Sequence, residues 1–231
     1  MLRIYVLLLF LVSPSLVTSQ SLIFEGGNRM NRGAGLIDLT PVVLNASYIG
    51  SPYVAEQFSI IKLNKIAGET FKGRYNAAND AMEVMGDDGK YYNLVRDLDL
   101  EVTFVLSNQN YRVFKYDNNS DKNGYFVVLN DSKIKLLKKE IINFHDEILA
   151  KTGYDRAEPA KFKREKDKFY FQINDTNLIE IPKNKNNFIS LLDLDSDKNT
   201  KVLSYIKTHR IKLNVEQDLI NLFIYINSNN F

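Results

Sequence analysis

The chain has 231 residues, 45% of them hydrophobic and 25% charged, with a formal net charge of +2 and no cysteine. Without Cys there are no disulfides, no thiolate metal ligands and no cysteine nucleophile, and the near-neutral balance gives no clustered basic footprint for nucleic acid or an anionic membrane. Apolar burial must hold the body together.

The first residues predict export. Met1-Leu2-Arg3 carries one positive charge, Ile4 to Val12 is an apolar run, and Val17 and Ser19 place small residues for cleavage after Ser19. The run falls short of the roughly 20 residues that span a bilayer. No Cys follows it, so lipid attachment of the bacterial lipoprotein kind is not expected. Residues 1 to 19 therefore read as a signal peptide, the alternative being an uncut anchor, and the mature body has no expected transmembrane span. An exported chain without cysteine favours the periplasm or outer surface of a Gram-negative bacterium over an animal exterior, where disulfides abound. Four Asn-x-Ser/Thr triplets begin at Asn45, Asn118, Asn130 and Asn174, which the abundance of Asn accounts for.

Residues 20 to 41 hold Gly26-Gly27 and Gly33-Ala34-Gly35 among few apolar positions and read as a flexible lead segment. From 42 to 182 the pattern predicts an antiparallel β domain, a meander curling into a barrel or sandwich, so the fold class is mainly β. Ser59 to Lys65, Thr70 to Tyr75 and Ala81 to Met85 alternate as strands, with a turn at Asn76 to Asn79. Asp87-Asp88-Gly89 supplies a hairpin turn into Lys90 to Leu94. Leu98, Leu100, Val102, Phe104 and Leu106 give the longest period-two run and predict one strand with a single buried face. Tyr111 to Lys115 and Tyr125 to Leu129 follow, separated by the polar loop Asp117 to Gly124.

Residues 133 to 149 fit a strand or a helix by spacing, and the short Asn130-Asp131-Ser132 connection favours strand for 133 to 143. Lys161 to Lys163 and Phe169 to Ile173 suggest a hairpin across Arg164 to Lys168, and Leu178 to Ile181 a short edge strand ended by Pro182. From 183 to 231 the period turns helical and predicts a C-terminal helical hairpin packed on or beside the sheet. Phe188, Leu191 and Leu192 mark a short first turn, Asp197 is the expected cap of a helix bearing Val202 and Ile206, and Asn214 that of a helix bearing Leu219, Leu222, Phe223 and Ile226.

Candidate chemistry is sparse. Asp193, Asp195, Asp197 and Asn199 place oxygens at positions 1, 3, 5 and 7 of a calcium-loop pattern, which suits a cation needing many hard oxygens. Lys198 stands where the loop needs Gly and Ser204 where it needs a bidentate Glu, so the competing reading is a helix start with acids at its N-terminus. Only His145 and His209 could serve a Ser-His-Asp arrangement, and neither lies in an elbow-like setting. No phosphate-binding glycine loop or zinc spacing is present, so no cofactor is expected. The aromatics Tyr75, Tyr91, Tyr92, Phe104, Tyr111, Phe114, Tyr125 and Phe126 read as core, or else as a ligand-stacking face.

Several stretches share a look. Gly50-Ser51-Pro52-Tyr53, Phe71 to Val84 with its Arg74-Tyr75-Asn76, Asn79-Asp80 and Glu83-Val84, Ala157 to Phe162, and Tyr205-Ile206-Lys207 with Glu216 to Ile220 are the stretches concerned. Over about residues 46 to 227 the chain resembles an uncharacterised family of exported Bacteroidota-type proteins with a β-rich body and a helical C-terminal tail. The resemblance implies strand, turn and strand for the Phe71 to Val84 stretch, favours strand for 133 to 143, and carries no reaction. The expectation is an exported envelope protein acting as a non-enzymatic binding or scaffolding module, with another envelope protein as its partner and no nucleic acid. The alternatives are a periplasmic hydrolase using paired carboxylates and a binder of a small apolar ligand inside the sheet.

Overall fold

The computed structural model describes residues 48–86, 89–115, 123–150, 156–174 and 177–229. The expected signal peptide and lead segment, Asp87-Asp88 and most of the Asp117 to Gly124 loop lie outside them. The protein is mainly β, and the described residues form a ten-stranded antiparallel sheet, a two-stranded ribbon and three helices.

The first four strands are consecutive hairpins: β1 (Ser59–Leu63), β2 (Ile66–Asn76), β3 (Ala81–Met85) and β4 (Tyr91–Asn93). The chain then returns to lay β5 (Glu101–Phe104) along the free side of β1 and continues as a meander through β6 (Gln109–Lys115), β7 (Asn123–Asn130) and β8 (Ile134–Lys139). Strand β11 (Lys168–Ile173) pairs with β8, and β12 (Ile179–Glu180) closes that edge. The strand order is β12-β11-β8-β7-β6-β5-β1-β2-β3-β4, so two edges remain. The sheet curls without closing, which leaves a sandwich-like layering rather than a barrel.

What covers the sheet comes from its last third. The 133 to 143 region is strand, but it breaks at Glu140-Ile141 into β8 and β9 (Ile142–His145), and β9 leaves the main sheet to pair with β10 (Lys161–Arg164). This overturns the expected hairpin between 161–163 and 169–173. The two segments diverge to different sheets because β11 has six partners along β8, whereas Phe162 finds Phe144 opposite it in the ribbon.

The helices among the described residues are α1 (Lys185–Leu191), α2 (Ser196–Thr208) and α3 (Glu216–Ser228): the short first element and the two longer ones that the helical period indicates. Asn184 caps α1 by accepting from the N–H groups of Asn186 and Asn187. Two expected caps are displaced. Asp195 caps α2 instead of Asp197, because Asp193 turns the chain at φ 51° and leaves Asp195 extended with its carboxylate on the Lys198 N–H. Val215 occupies the cap position of α3 instead of Asn214 and makes no side-chain cap bond, while Asp218 reaches back to the Lys212 N–H.

Two cores share the sheet. One joins Ile61, Tyr75, Met82, Val102, Tyr111, Tyr125 and Ile142, and the other joins Leu136 and Phe171 to Phe188, Ile206, Leu222 and Phe223. Phe171 lies 5.8 Å from Phe188 and 6.2 Å from Phe223, ring to ring. Each fully buried ring contributes about 2 to 3 kcal/mol before ordering costs. The long alternating run is only half realised. Leu100 and Val102 are buried and Phe104 packs beside the core, but Leu98 is 52% and Leu106 87% exposed. Asp97 ends the strand on one side by accepting from the Asp99 N–H, and the turn at 105–108, with Asn108 at φ 53°, ends it on the other. Among the described residues no helix is long and apolar enough to cross a membrane.

Candidate functional site

The residues singled out as calcium ligands are spread along the start of α2. Asp195 is occupied as the cap and lies 3.3 Å from the Lys198 ammonium, Asn199 donates to the Leu194 carbonyl, and Asp197 sits in the first helical turn. Asp193 and Asp195 line a cleft of about 500 Å³ together with Lys133 and Lys198, cations that oppose a metal there. No group of three His, Asp or Glu side chains among the described residues could hold a metal ion. His145 is exposed on β9 with its Nε2 4.0 Å from Glu165, and His209 stacks on Tyr205 at 4.2 Å past the end of α2.

The interior of the curl is filled. Tyr75 lies 5.0 Å from Tyr111 and 6.0 Å from Tyr125, and Phe104 packs on Tyr111 at 5.4 Å. Three carboxylates each take a tyrosine hydroxyl and one or two cations. Asp80 and Glu140, the latter also 3.7 Å from the Lys138 ammonium, lie on the inner side. Glu83 lies on the opposite face of the sheet, since its neighbours Met82 and Val84 enter the core. Asp80 Oδ1 accepts from the Tyr75 hydroxyl at 2.7 Å and the Tyr125 N–H at 3.1 Å, with the Lys139 ammonium at 2.6 Å. Because β7 and β8 are not neighbours of β2 and β3, Asp80 ties the two ends of the curl together. Glu83 takes Arg74 through Nε and Nη2, Asn76 through its amide and the Tyr53 hydroxyl at 3.3 Å, while the Arg74 guanidinium lies 3.7 Å from the Tyr53 ring and 4.4 Å from that of Phe58. Glu140 takes the Tyr111 hydroxyl at 2.5 Å and Arg164 at 3.3 Å.

These contacts show in the hydroxyls. Burial first, then Asp80, pushes Tyr75 far above the ordinary tyrosine pKa, and burial and then Glu140 do the same to Tyr111. Tyr53 is pushed up to about 12 by burial and then Glu83, against the pull of Arg74. The Arg74-Tyr75-Asn76, Asp80 and Glu83 stretch thus supplies two of the three nodes: Asp80 holds the curl, while Glu83 and Arg74 fasten Tyr53 and the Glu56 carbonyl to the outer face of β2 and β3.

The remaining distinctive stretches meet at the ribbon. Ile49 donates to the Ala160 carbonyl and accepts from the Phe162 N–H, a single parallel bridge on the side of β10 away from β9. Gly50 is needed beside it: a Cβ there would lie 2.5 Å from the Phe162 carbonyl oxygen, and its φ is +83°. Between this segment and the ribbon lies an open cleft of about 510 Å³ walled by Tyr53, Val54, Ile142 and Phe162, with Ser51 and Arg164 as its polar groups. Arg164 uses Nη2 for both Glu140 and Asp167, so Nε and Nη1 take no partner among the described residues. Burial works against its charge, but Asp167 and Glu140 outweigh that and raise its pKa. Around the cleft, apolar side chains stand in solvent: Tyr48, Ile49 at 60%, Phe144, Ile148 and Leu149 at 69% exposure.

Sequence reasoning singled out neither Arg164 nor the ribbon. The signal was present in Ala157 to Phe162 and Gly50 to Tyr53, two segments a hundred residues apart whose meeting depends on β9 leaving the sheet. No family model, curated protein or solved structure matches the chain.

Proposed function

We propose that the chain is an exported envelope protein, placed in the periplasm or on the outer surface of a Gram-negative bacterium, that acts as a non-enzymatic binding or scaffolding module. Its partner is another envelope protein, gripped by the cleft between Val54 and Phe162 and by the exposed rim of Tyr48 and Ile49. The observation that carries this is the contrast between a filled interior and apolar side chains crowded into solvent at the ribbon, the pattern of a protein contact surface. The resemblance to exported Bacteroidota-type proteins supports the compartment.

The hydrolase alternative has less to stand on. Glu140 and Asp167 do approach each other, but the Arg164 guanidinium sits between them, where a scissile bond would need to lie. The tyrosine rings leave little room for a ligand inside the curl.

Crosslinking and capture from envelope fractions test the reading. The wild-type chain retains one partner at near-stoichiometric yield. The double variant Ile49→Glu, Val54→Glu, which alters only half-exposed or exposed side chains, loses it without a change in melting temperature. Equal capture by both, or no capture together with heat stabilisation by a fatty acid, overturns it in favour of a small apolar ligand.

A further inference from the structure

We infer that the turn joining α2 to α3 is a peripheral docking surface for an anionic lipid bilayer, which it meets through the phosphate headgroups. Lys207, His209, Arg210 and Lys212 follow one another there, and all four are exposed. None of the four side chains forms an ion pair among the described residues. The net charge of +2 for the whole chain therefore conceals a local excess. The fold does not need these cations. Lys, Arg and His often settle on the last carbonyls of a helix, but here backbone donors have taken them. His209, Arg210 and Ile211 give their N–H groups to the carbonyls of Tyr205, Lys207 and Ile206. The two acids that begin α3 are committed as well, Asp218 to the Lys212 N–H and Glu216 to the Lys138 ammonium.

Arg210 shows that the excess is kept at a cost. Its φ is 53°, the left-handed conformation in which a helix end usually places glycine. Among the described residues the other non-glycine residues at positive φ are Asp80, Asn108, Asn174 and Asp193, whose short polar side chains suit that region. A long cationic side chain there is strained and gains no ion pair within the chain, which marks a residue held for an outside partner. The company these cations keep selects a bilayer. Tyr205 and Tyr225 stack at 4.0 Å, His209 covers Tyr205 at 4.2 Å, and Val215 at the start of α3 is 39% exposed. Half-buried phenols beside cations and an apolar tip suit the boundary between headgroups and acyl chains. Tight DNA binding draws on about six to ten phosphate contacts, more than one turn offers. The surface uses none of the residues of the partner cleft and goes beyond the proposed function, since it holds the protein against a membrane.

Vesicle cosedimentation of the mature chain tests this. The wild type binds phosphatidylethanolamine vesicles carrying about 30% phosphatidylglycerol, ignores vesicles of phosphatidylcholine alone, and is released at about 0.5 M salt. Lys207→Gln and Lys212→Gln each weaken binding about fivefold, and both together with Arg210→Gly weaken it about a hundredfold. Arg210→Gly alone separates binding from folding. It weakens binding about fivefold while raising the melting temperature by about 2 to 4 °C, because it relieves the backbone. A fall in melting temperature shows that Arg210 serves the fold and overturns the inference. Equal binding to phosphatidylcholine overturns it too, as does undiminished binding by the triple variant or duplex DNA held as tightly as the vesicles. The Ile49 and Val54 variant keeps its vesicle binding, so this inference and the partner reading fail independently.

Discussion

Asp80, Glu83 and Glu140 are each joined to a tyrosine hydroxyl, and a phenol that donates to a buried carboxylate resists ionising. The unfolded chain gives up those protons near pH 10, whereas the folded protein holds Tyr53 to about 12 and Tyr75 and Tyr111 higher still. The stability from the raised pKa values is fully present below pH 10 and is lost as the pH climbs past it, because the unfolded state then binds fewer protons. Lys139, whose pKa burial lowers despite Asp80, works the other way in that range, one group against three. Denaturant melts between pH 8 and 11 should show stability falling above pH 10, and the slope should lessen in Tyr111→Phe. Removing Asp80 takes a carboxylate from the mostly buried Lys139, whose ammonium also donates to the Tyr125 carbonyl, and from the Tyr75 hydroxyl, so Asp80→Ala should cost about 2 to 4 kcal/mol by urea unfolding.

At the scale of the element, periodicity spoke clearly about type and less clearly about extent. The alternating run from Leu98 to Leu106 is a strand only from Glu101 to Phe104, because alternation records which side chains could face a core and not where local turn bonds stop the ladder. Phe104→Ala should accordingly cost about 1.5 to 2.5 kcal/mol, below the 3 to 5 of a fully enclosed phenylalanine. Leu98→Ala and Leu106→Ala should each stay within about 0.5 kcal/mol in the same melts. For α2 the sequence offered three acids in alternate positions, any of which could cap. The turn at Asp193 decided for Asp195, so Asp195→Ala should destabilise by about 1 kcal/mol, with or without calcium, and Asp197→Ala by less.

Across the whole molecule, the order of β-rich body and helical tail was legible because each is written in its own period. The ribbon was not, since β9 and β10 are four-residue strands whose pairing is settled by what the sheet leaves over. The cleft inherits that difficulty: Gly50, Phe162 and Arg164 have no shared local signature and are brought together only by the β8-to-β9 break. The tail is no separate unit, for α3 covers Leu136 and Phe171 of the sheet. A chain ending at Pro182 should therefore bind a hydrophobic dye and aggregate instead of melting cooperatively.

The Tyr125 amide proton belongs to a strand yet rests on the Asp80 side chain across the mouth of the curl. Its solvent exchange should keep time with the parting of the two sheet ends, a slower or faster clock than its ladder-bonded neighbours Phe126 and Val127 depending on how often that mouth opens. One deuterium-labelled position can thus time a breathing motion of the entire sheet, with Asp80 as the latch whose release it records.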